Sequence, residues 1–152
     1  MTRLLLFVLL LVTVACGSAP LIAPPPTTVH GVQVEYRTGD FPGPGLGGAR
    51  WEDGVPIVLL EDMDGVDPAV QWYTWGHEVC HNEQTDDPSH VRTLHEGELA
   101  ADCCAGAWLS KLRIEPLAAV ERLASFENES VTHPLGAVRA SMLLSCWLLK
   151  GD

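Results

Sequence analysis

Basic side chains are scarce in this chain. Its 152 residues hold 9 lysines and arginines against 20 aspartates and glutamates, a formal net charge of −11. A nucleic-acid-binding surface needs clustered positive charge, and the sequence has no such cluster. We therefore expect no nucleic-acid partner, and mutual repulsion among the acidic groups favours solubility.

A long apolar run is also missing. The run from Leu4 to Val12 is well short of the roughly twenty residues that cross a bilayer. Arg3 precedes it and small residues follow, which is typical of a secretory signal. The sequence therefore predicts an export signal over residues 1–15 rather than a membrane span.

The end of this signal resembles a bacterial lipobox. In "TVAC", Cys16 occupies the position that is lipidated and Ala15 the small residue before it, although Thr13 stands where leucine is usual. Lipidation would anchor the chain to a bacterial envelope membrane through the proline-rich linker of residues 16–28. Cleavage after Ala19, which removes Cys16, is the alternative. In both cases the domain of residues 29–152 works outside the cytoplasm.

The four remaining cysteines lack the spacing of a structural zinc site. An even number in an oxidising compartment suggests one or two disulfides, with three possible full pairings. Cys80 could pair with Cys103 or Cys104 on an adjacent helix, pair with Cys146, or stay a free buried thiol. The sequence leaves these possibilities open.

The first third of the domain has the alternation of β-structure. Residues 29–39 predict one strand, and a second strand around Trp51 is followed by a turn near Gly54 and a third strand from Ile57 to Leu60. We expect a small antiparallel sheet in which the strand 57–60 lies at an edge.

Helical patterns occupy the remainder of the chain. Asp67 is a predicted N-cap, with Pro68 at the first helical position. Further helices are predicted over roughly 94–111, from 115 onward with a proline in the first turn, and over 133–150. A small sheet followed by about four helices is an α+β fold.

The first helix contains "HEVCH" at residues 77–81. Positions i and i+4 share a helix face, so His77 and His81 can ligate one metal ion. Glu78 lies at the edge of that face, where a general base can reach a metal-bound water. Chance would produce this pattern in on the order of one in a hundred such chains, so a second element has to support it.

The second helix supplies that support in "GELAAD", residues 97–102. Glu98 can complete a set of two histidines and one glutamate, which leaves a fourth position on the ion for water. Asp102, one turn later, can accept the free N–H of a ligand histidine and fix its orientation.

These two segments resemble the active site of the gluzincin zinc metallopeptidases. "GHEVCH" with "GELAADCCAGAWL" is especially similar to bacterial neutral zinc metallopeptidases, and "THPLGAVRASM" at 132–142 resembles a downstream gluzincin segment. The resemblance implies a minimal zincin core and one Zn²⁺ per chain. It places His133 and Arg139 near the cleft, to bind an oxyanion or orient an acid, although His133 could equally be the residue that starts a helix. Cys80 departs from the pattern, where glycine is common.

The expected function is zinc-dependent hydrolysis of peptide bonds in a peptide or protein substrate. Glu78 would take a proton from a metal-activated water and pass it to the leaving amine. The strand 57–60 would bind substrate in extended form. The alternative is a non-catalytic zinc lipoprotein of the envelope that acts as an assembly factor or chaperone. A disulfide-stapled interaction module without metal leaves the two helices unexplained.

Overall fold

The structure is a computed structural model, and it describes residues 24, 27–39, 46–84 and 93–149. The predicted signal over residues 1–15 and Cys16 lie outside these residues, as does the linker of residues 16–28 except for 24, 27 and 28. The described strands are β1 (Thr28–Val29), β2 (Val32–Gln33), β3 (Glu35–Thr38), β4 (Gly47–Glu52) and β5 (Val55–Leu60). The helices are α1 (Pro68–Gln84), α2 (Leu94–Leu112), α3 (Leu117–Ala124) and α4 (Gly136–Leu149). The α+β class is confirmed.

The single strand predicted over residues 29–39 is wrong. His30 and Gly31 both have positive φ, at 50° and 80°, and they fold β1 back onto β2 as a tight hairpin. β3 then begins at Glu35. The turn near Gly54 was expected, and Asp53 and Gly54 form it with φ values of 49° and 79°.

The strand 57–60 is not at an edge, which corrects the prediction. In the three-stranded sheet the order is β3-β5-β4, so β5 is the central strand. β5 pairs antiparallel with β4 and parallel with β3, and Ile57 and Val58 are fully buried. Within the described residues β4 pairs only with β5, and its other side is therefore an edge.

Helix α1 lies between the sheet and the other helices. It begins at the predicted residue, because the Asp67 carboxylate accepts a hydrogen bond from the Ala69 N–H at 2.8 Å. Trp75 and Val79 pack on the sheet side, and Val70 and Tyr73 pack against α2, α3 and α4. Twelve of its 17 residues are buried. Most side chains of α1, that of His77 included, are thus held by packing.

Two disulfides link α2 to α1 and to α4. Cys80 of α1 bonds Cys104, and Cys103, also of α2, bonds Cys146 of α4. The expected disulfides are present, and Cys80 is not a free thiol. No helix in the described part of the chain has the length and apolarity to cross a membrane.

Candidate metal centre

The two histidines of α1 meet at its surface toward α2. His77 and His81 are one turn apart, and their Nε2 atoms are 3.0 Å from each other. His77 is buried and His81 is half-buried. The two side chains lie on one helix face, as their spacing predicts, and their Nε2 atoms converge.

The carboxylate of Glu98, from α2, contacts both of these nitrogens. Its Oε1 is 3.2 Å from His81 Nε2, and its Oε2 is 3.4 Å from His77 Nε2. Bond lengths of 2.0–2.2 Å to zinc place the ligand atoms of a tetrahedral site about 3.3–3.5 Å apart. His77, His81 and Glu98 form a group that could hold one metal ion.

Charge and burial also fit a cation at this point. Glu98 Oε2 is buried without a hydrogen bond, although Arg139 Nη2 lies 3.2 Å away as an ion-pair partner. Burial would raise the pKa of Glu98, but the imidazoles of His77 and His81 outweigh it and hold that pKa far below its usual range. The carboxylate is therefore ionised, as a metal ligand must be.

Asp102 lies behind His77, one turn after Glu98 on α2. Its Oδ1 is 2.9 Å from His77 Nδ1, the ring atom that does not face the metal group. Burial lowers the pKa of His77, but hydrogen bonds to Asp102 and Glu98 outweigh this effect and raise it to about 9. Asp102 thus fixes the ring orientation and increases the basicity of the imidazole.

Arg139 and Tyr73 hold Asp102 in place. Arg139, from α4, donates Nε–H to Asp102 Oδ2 and Nη2–H to Asp102 Oδ1, both at 2.9 Å. Tyr73 donates its hydroxyl to Asp102 Oδ1 at 2.6 Å. Burial would raise the pKa of Asp102, but His77 and Arg139 outweigh it and lower that pKa. The negative charge of this buried carboxylate is thus balanced by Arg139 and by the hydrogen bonds that it accepts.

Tyr73 is the residue that sequence reasoning missed. Its hydroxyl also accepts a hydrogen bond from Arg139 Nη2 at 3.0 Å and lies 3.4 Å from His77 Nδ1. Burial, followed by the nearby Asp102 charge, raises the pKa of Tyr73 well above its usual value. A signal for it existed, since Tyr73 lies one helical turn before His77 on the same face.

His133 approaches the group from the loop between α3 and α4. Its Nε2 is 3.5 Å from Glu98 Oε2, and Thr132 Oγ1 contacts its Nδ1 at 2.7 Å. The loop is tied to the start of α2, where His95 Nε2 lies 2.8 Å from the Ser130 carbonyl. Partial burial lowers the pKa of His133, which favours the neutral ring near the metal group.

Glu78 faces a cavity beside the metal group. The cavity has about 510 Å³ of space, counting its opening to solvent, and His77, Tyr73, His133 and Arg139 line it together with Glu78. Burial raises the pKa of Glu78. A carboxyl group with a raised pKa in a cleft is suited to accept and return a proton near neutral pH.

Gly47 of β4 brings backbone directly against Glu78. A Cβ built on Gly47 would lie 3.1 Å from Glu78 Cγ and 3.0 Å from the Leu59 carbonyl oxygen. A larger residue would force the Glu78 side chain or the Leu59 carbonyl to shift by a few tenths of an ångström. Gly47 also lines the cavity, so the start of β4 is adjacent to it.

The structure brings together seven residues predicted from the sequence. His77, His81 and Glu98 form the metal group, Glu78 and His133 line the cavity, and Asp102 and Arg139 form the hydrogen-bonded layer behind His77. A second cluster of possible ligands, Cys80, Glu83 and Cys104, does not offer two thiolates, because its cysteines are disulfide-bonded. Cys16 lies outside the described residues.

Comparison of the chain with protein-family models, curated proteins and solved structures finds no match. The two disulfides are compatible with an extracytoplasmic protein.

Proposed function

We propose that the protein is a zinc-dependent peptidase that cleaves peptide bonds with Glu78 as general base. The observation that carries this proposal is the cluster of His77, His81 and Glu98 beside a buried carboxyl group on a cavity. The two Nε2 atoms are 3.0 Å apart, and the two Glu98 oxygens lie 3.2 Å from His81 and 3.4 Å from His77. The resemblance of residues 75–109 to gluzincins points to the same chemistry.

Zinc fits the donor set better than calcium or magnesium does. Two imidazole nitrogens and one carboxylate suit a borderline-soft cation, whereas calcium and magnesium prefer oxygen ligands throughout. Zinc held by three protein ligands polarises a substrate carbonyl and lowers the pKa of a bound water to about 7. The remaining steps depend on side chains of the chain itself.

Glu78 would move the proton. Because burial raises its pKa, the carboxylate can take a proton from the attacking water and later release it to the leaving amine. His133, with Nε2 directed toward the metal group and Nδ1 held by Thr132, would donate a hydrogen bond to the oxyanion that develops. Arg139 would act mainly by orienting Asp102, which accepts hydrogen bonds from its Nε and Nη2.

The substrate would bind along β4 rather than β5. An extended peptide can add to an edge strand through main-chain hydrogen bonds. In the described residues β3 and β4 are the two edge strands of the three-stranded sheet, and β4 is the one that lies against Glu78. Gly47 sets this strand against Glu78, so a peptide added there would pass the general base.

We also propose that the domain is anchored at the bacterial cell envelope by lipid on Cys16. The motivation is the "TVAC" segment at the end of the predicted signal. An acyl mass on the N-terminal peptide of the purified protein, absent in Cys16→Ser, would support the anchor. A wild-type chain without acyl mass would remove it and leave the peptidase proposal intact.

The test of the enzyme begins with metal content. We expect one zinc per chain, lost in His77→Ala and retained in Glu78→Gln, since Glu78 is not a ligand in this proposal. A peptide-library digest should show cleavage by the parent that a chelator stops and that Glu78→Gln lowers by at least about 100-fold.

Glu121→Gln is the matched control, because it makes the same chemical change on the exposed surface of α3. It should cleave as the parent does. Equal cleavage by Glu78→Gln and the parent would refute the assignment of the base. Stoichiometric zinc without chelator-sensitive cleavage would favour the non-catalytic zinc lipoprotein instead.

A further inference from the structure

The cavity beside Glu78 has a wall that the proposed reaction does not use. Leu46, Val70, Leu123 and Phe126 line this side of the cavity with apolar surface. Val70 and Leu123 are buried in the core around α1 and α3, and Phe126 is partly exposed at the end of α3. A substrate side chain next to the scissile bond would contact this wall.

Arg122 also lines the cavity and adds a positive charge to the apolar wall. Its guanidinium carbon lies 5.2 Å from the centre of the Phe126 ring, a cation–π distance that fixes the head group over an aromatic surface. In the part of the chain that the structure describes, no carboxylate lies within ion-pair distance of Arg122. The charge is therefore available to a ligand, in a protein whose net charge is −11.

The other arginine of the cavity is not available in the same way. Arg139 donates to Asp102 through Nε and Nη2 and lies 3.2 Å from Glu98 as well. Its charge is balanced by two carboxylates inside the protein. A carboxylate that entered the cavity would therefore find its partner at Arg122, over Phe126.

We infer that this cavity is a specificity pocket for a substrate residue that carries a carboxylate, bound by Arg122 above the Phe126 ring. The inference rests on the proposed peptidase function for its role, and it names the substrate class of that site. A planar guanidinium binds a carboxylate through two parallel N–H···O bonds, and the apolar wall accommodates the methylene groups that carry it. The carboxylate could belong to an acidic side chain or to the C-terminus of a peptide.

The first experiment measures binding without cleavage. Calorimetry on zinc-loaded Glu78→Gln, expressed from the full chain, would compare acetyl-Leu-Glu-Leu-amide with acetyl-Leu-Gln-Leu-amide. We expect the glutamate probe to bind about 3- to 10-fold more tightly, a modest ratio because Arg122 is partly screened by solvent. The free acid of the glutamine probe tests the other source, since tighter binding of that acid than of its amide identifies a terminal carboxylate.

Substitutions at Arg122 and Phe126, with one control, test whether Arg122 causes the preference for the glutamate probe. Added to the Glu78→Gln chain, Arg122→Gln should bring the ratio of the two affinities close to 1, and Arg122→Glu should reverse it. Lys111→Gln removes an exposed cation elsewhere on the surface and should leave the ratio unchanged, which separates a local contact from net charge. Phe126→Leu keeps the wall apolar and should weaken the preference only in part.

The second experiment repeats the comparison by cleavage of a peptide library with Glu78 intact. A carboxylate preference at one position beside the scissile bond, lost in Arg122→Gln and kept in Lys111→Gln, supports the inference. A preference that survives Arg122→Gln, or no carboxylate preference in either experiment, overturns it. Arg122-dependent binding with no chelator-sensitive cleavage would refute the peptidase and leave the carboxylate pocket standing.

Discussion

Replacing Asp102 by asparagine tests the layer behind the metal group. The carboxylate is fully buried and meets donors on every side: His77 Nδ1 at 2.9 Å, Tyr73 hydroxyl at 2.6 Å, and two N–H groups of Arg139 at 2.9 Å. An amide keeps one acceptor oxygen and brings an NH₂ group against these donors. It also removes the negative charge that offsets Arg139.

The magnitude follows from these contacts. Loss of a carboxylate that orients a ligand histidine weakens metal affinity by roughly 10- to 100-fold. Removal of one partner of a buried ion pair costs about 3–5 kcal/mol in folding free energy, and Glu98 at 3.2 Å from Arg139 Nη2 places this case at the low end. We expect Asp102→Asn to lower both zinc affinity and the stability of the chelator-treated protein.

Competition with a chromophoric chelator measures the affinity, and urea unfolding measures the stability. Asp64→Asn is the control, because it makes the same chemical change at an exposed position outside the metal group. Glu96, another carboxylate of α2, is unsuitable as a control, because its side chain accepts a hydrogen bond from the Thr93 N–H in the capping box of that helix. Zinc affinity within about 2-fold of the parent, with unfolding free energy changed by less than about 0.5 kcal/mol, would refute the role assigned to Asp102.

Three further predictions concern neighbouring contacts. Tyr73→Phe removes the hydroxyl that donates to Asp102 and should weaken zinc binding severalfold in the same chelator competition; unchanged affinity would show that Asp102 needs only its other partners. The double variant Cys80→Ala/Cys104→Ala removes a disulfide between residues 24 apart in sequence and should lower the free energy of unfolding, measured in urea, by about 3 kcal/mol. Added zinc should restore part of this loss. Full stability without the disulfide would contradict the prediction. Chelator-treated protein should lose stability as pH rises from about 6.5 through 9. The pKa of His77 is raised to about 9 on folding, so protonated His77 contributes its full stabilisation only below the pKa that it has in the unfolded chain. A urea midpoint that does not change over this interval would show that folding does not raise the pKa of His77.

Local features were predictable because they depend on residues close together in the chain. Asp67 and Pro68 start a helix through hydrogen bonds within one turn, and the i, i+4 spacing of His77 and His81 follows from helix geometry alone. The same reasoning placed Glu98 and Asp102 on one face of α2. The sheet was harder, since residues 29–39 alternate like a strand whether or not two of them turn back.

Long-range packing decided what the sequence left open. Strand order depends on which strands meet in space, and a parallel pairing with β3 put residues 57–60 at the centre and left the edges to β3 and β4. The choice among the three full cysteine pairings, a single disulfide and a free Cys80 thiol required the relative positions of α1, α2 and α4.

The metal group was predictable from the sequence, whereas the contacts of the layer behind it depend on tertiary structure. Spacing on two helices indicated the three ligand side chains, because each helix presents its own pair regardless of what it packs against. Tyr73, Asp102 and Arg139 meet across 29, 37 and 66 residues of sequence, on three different helices. These three side chains meet only because α1 packs against α2 and α4. Packing removes the carboxylate, the guanidinium and the phenol from solvent, so they form hydrogen bonds with one another instead of with water.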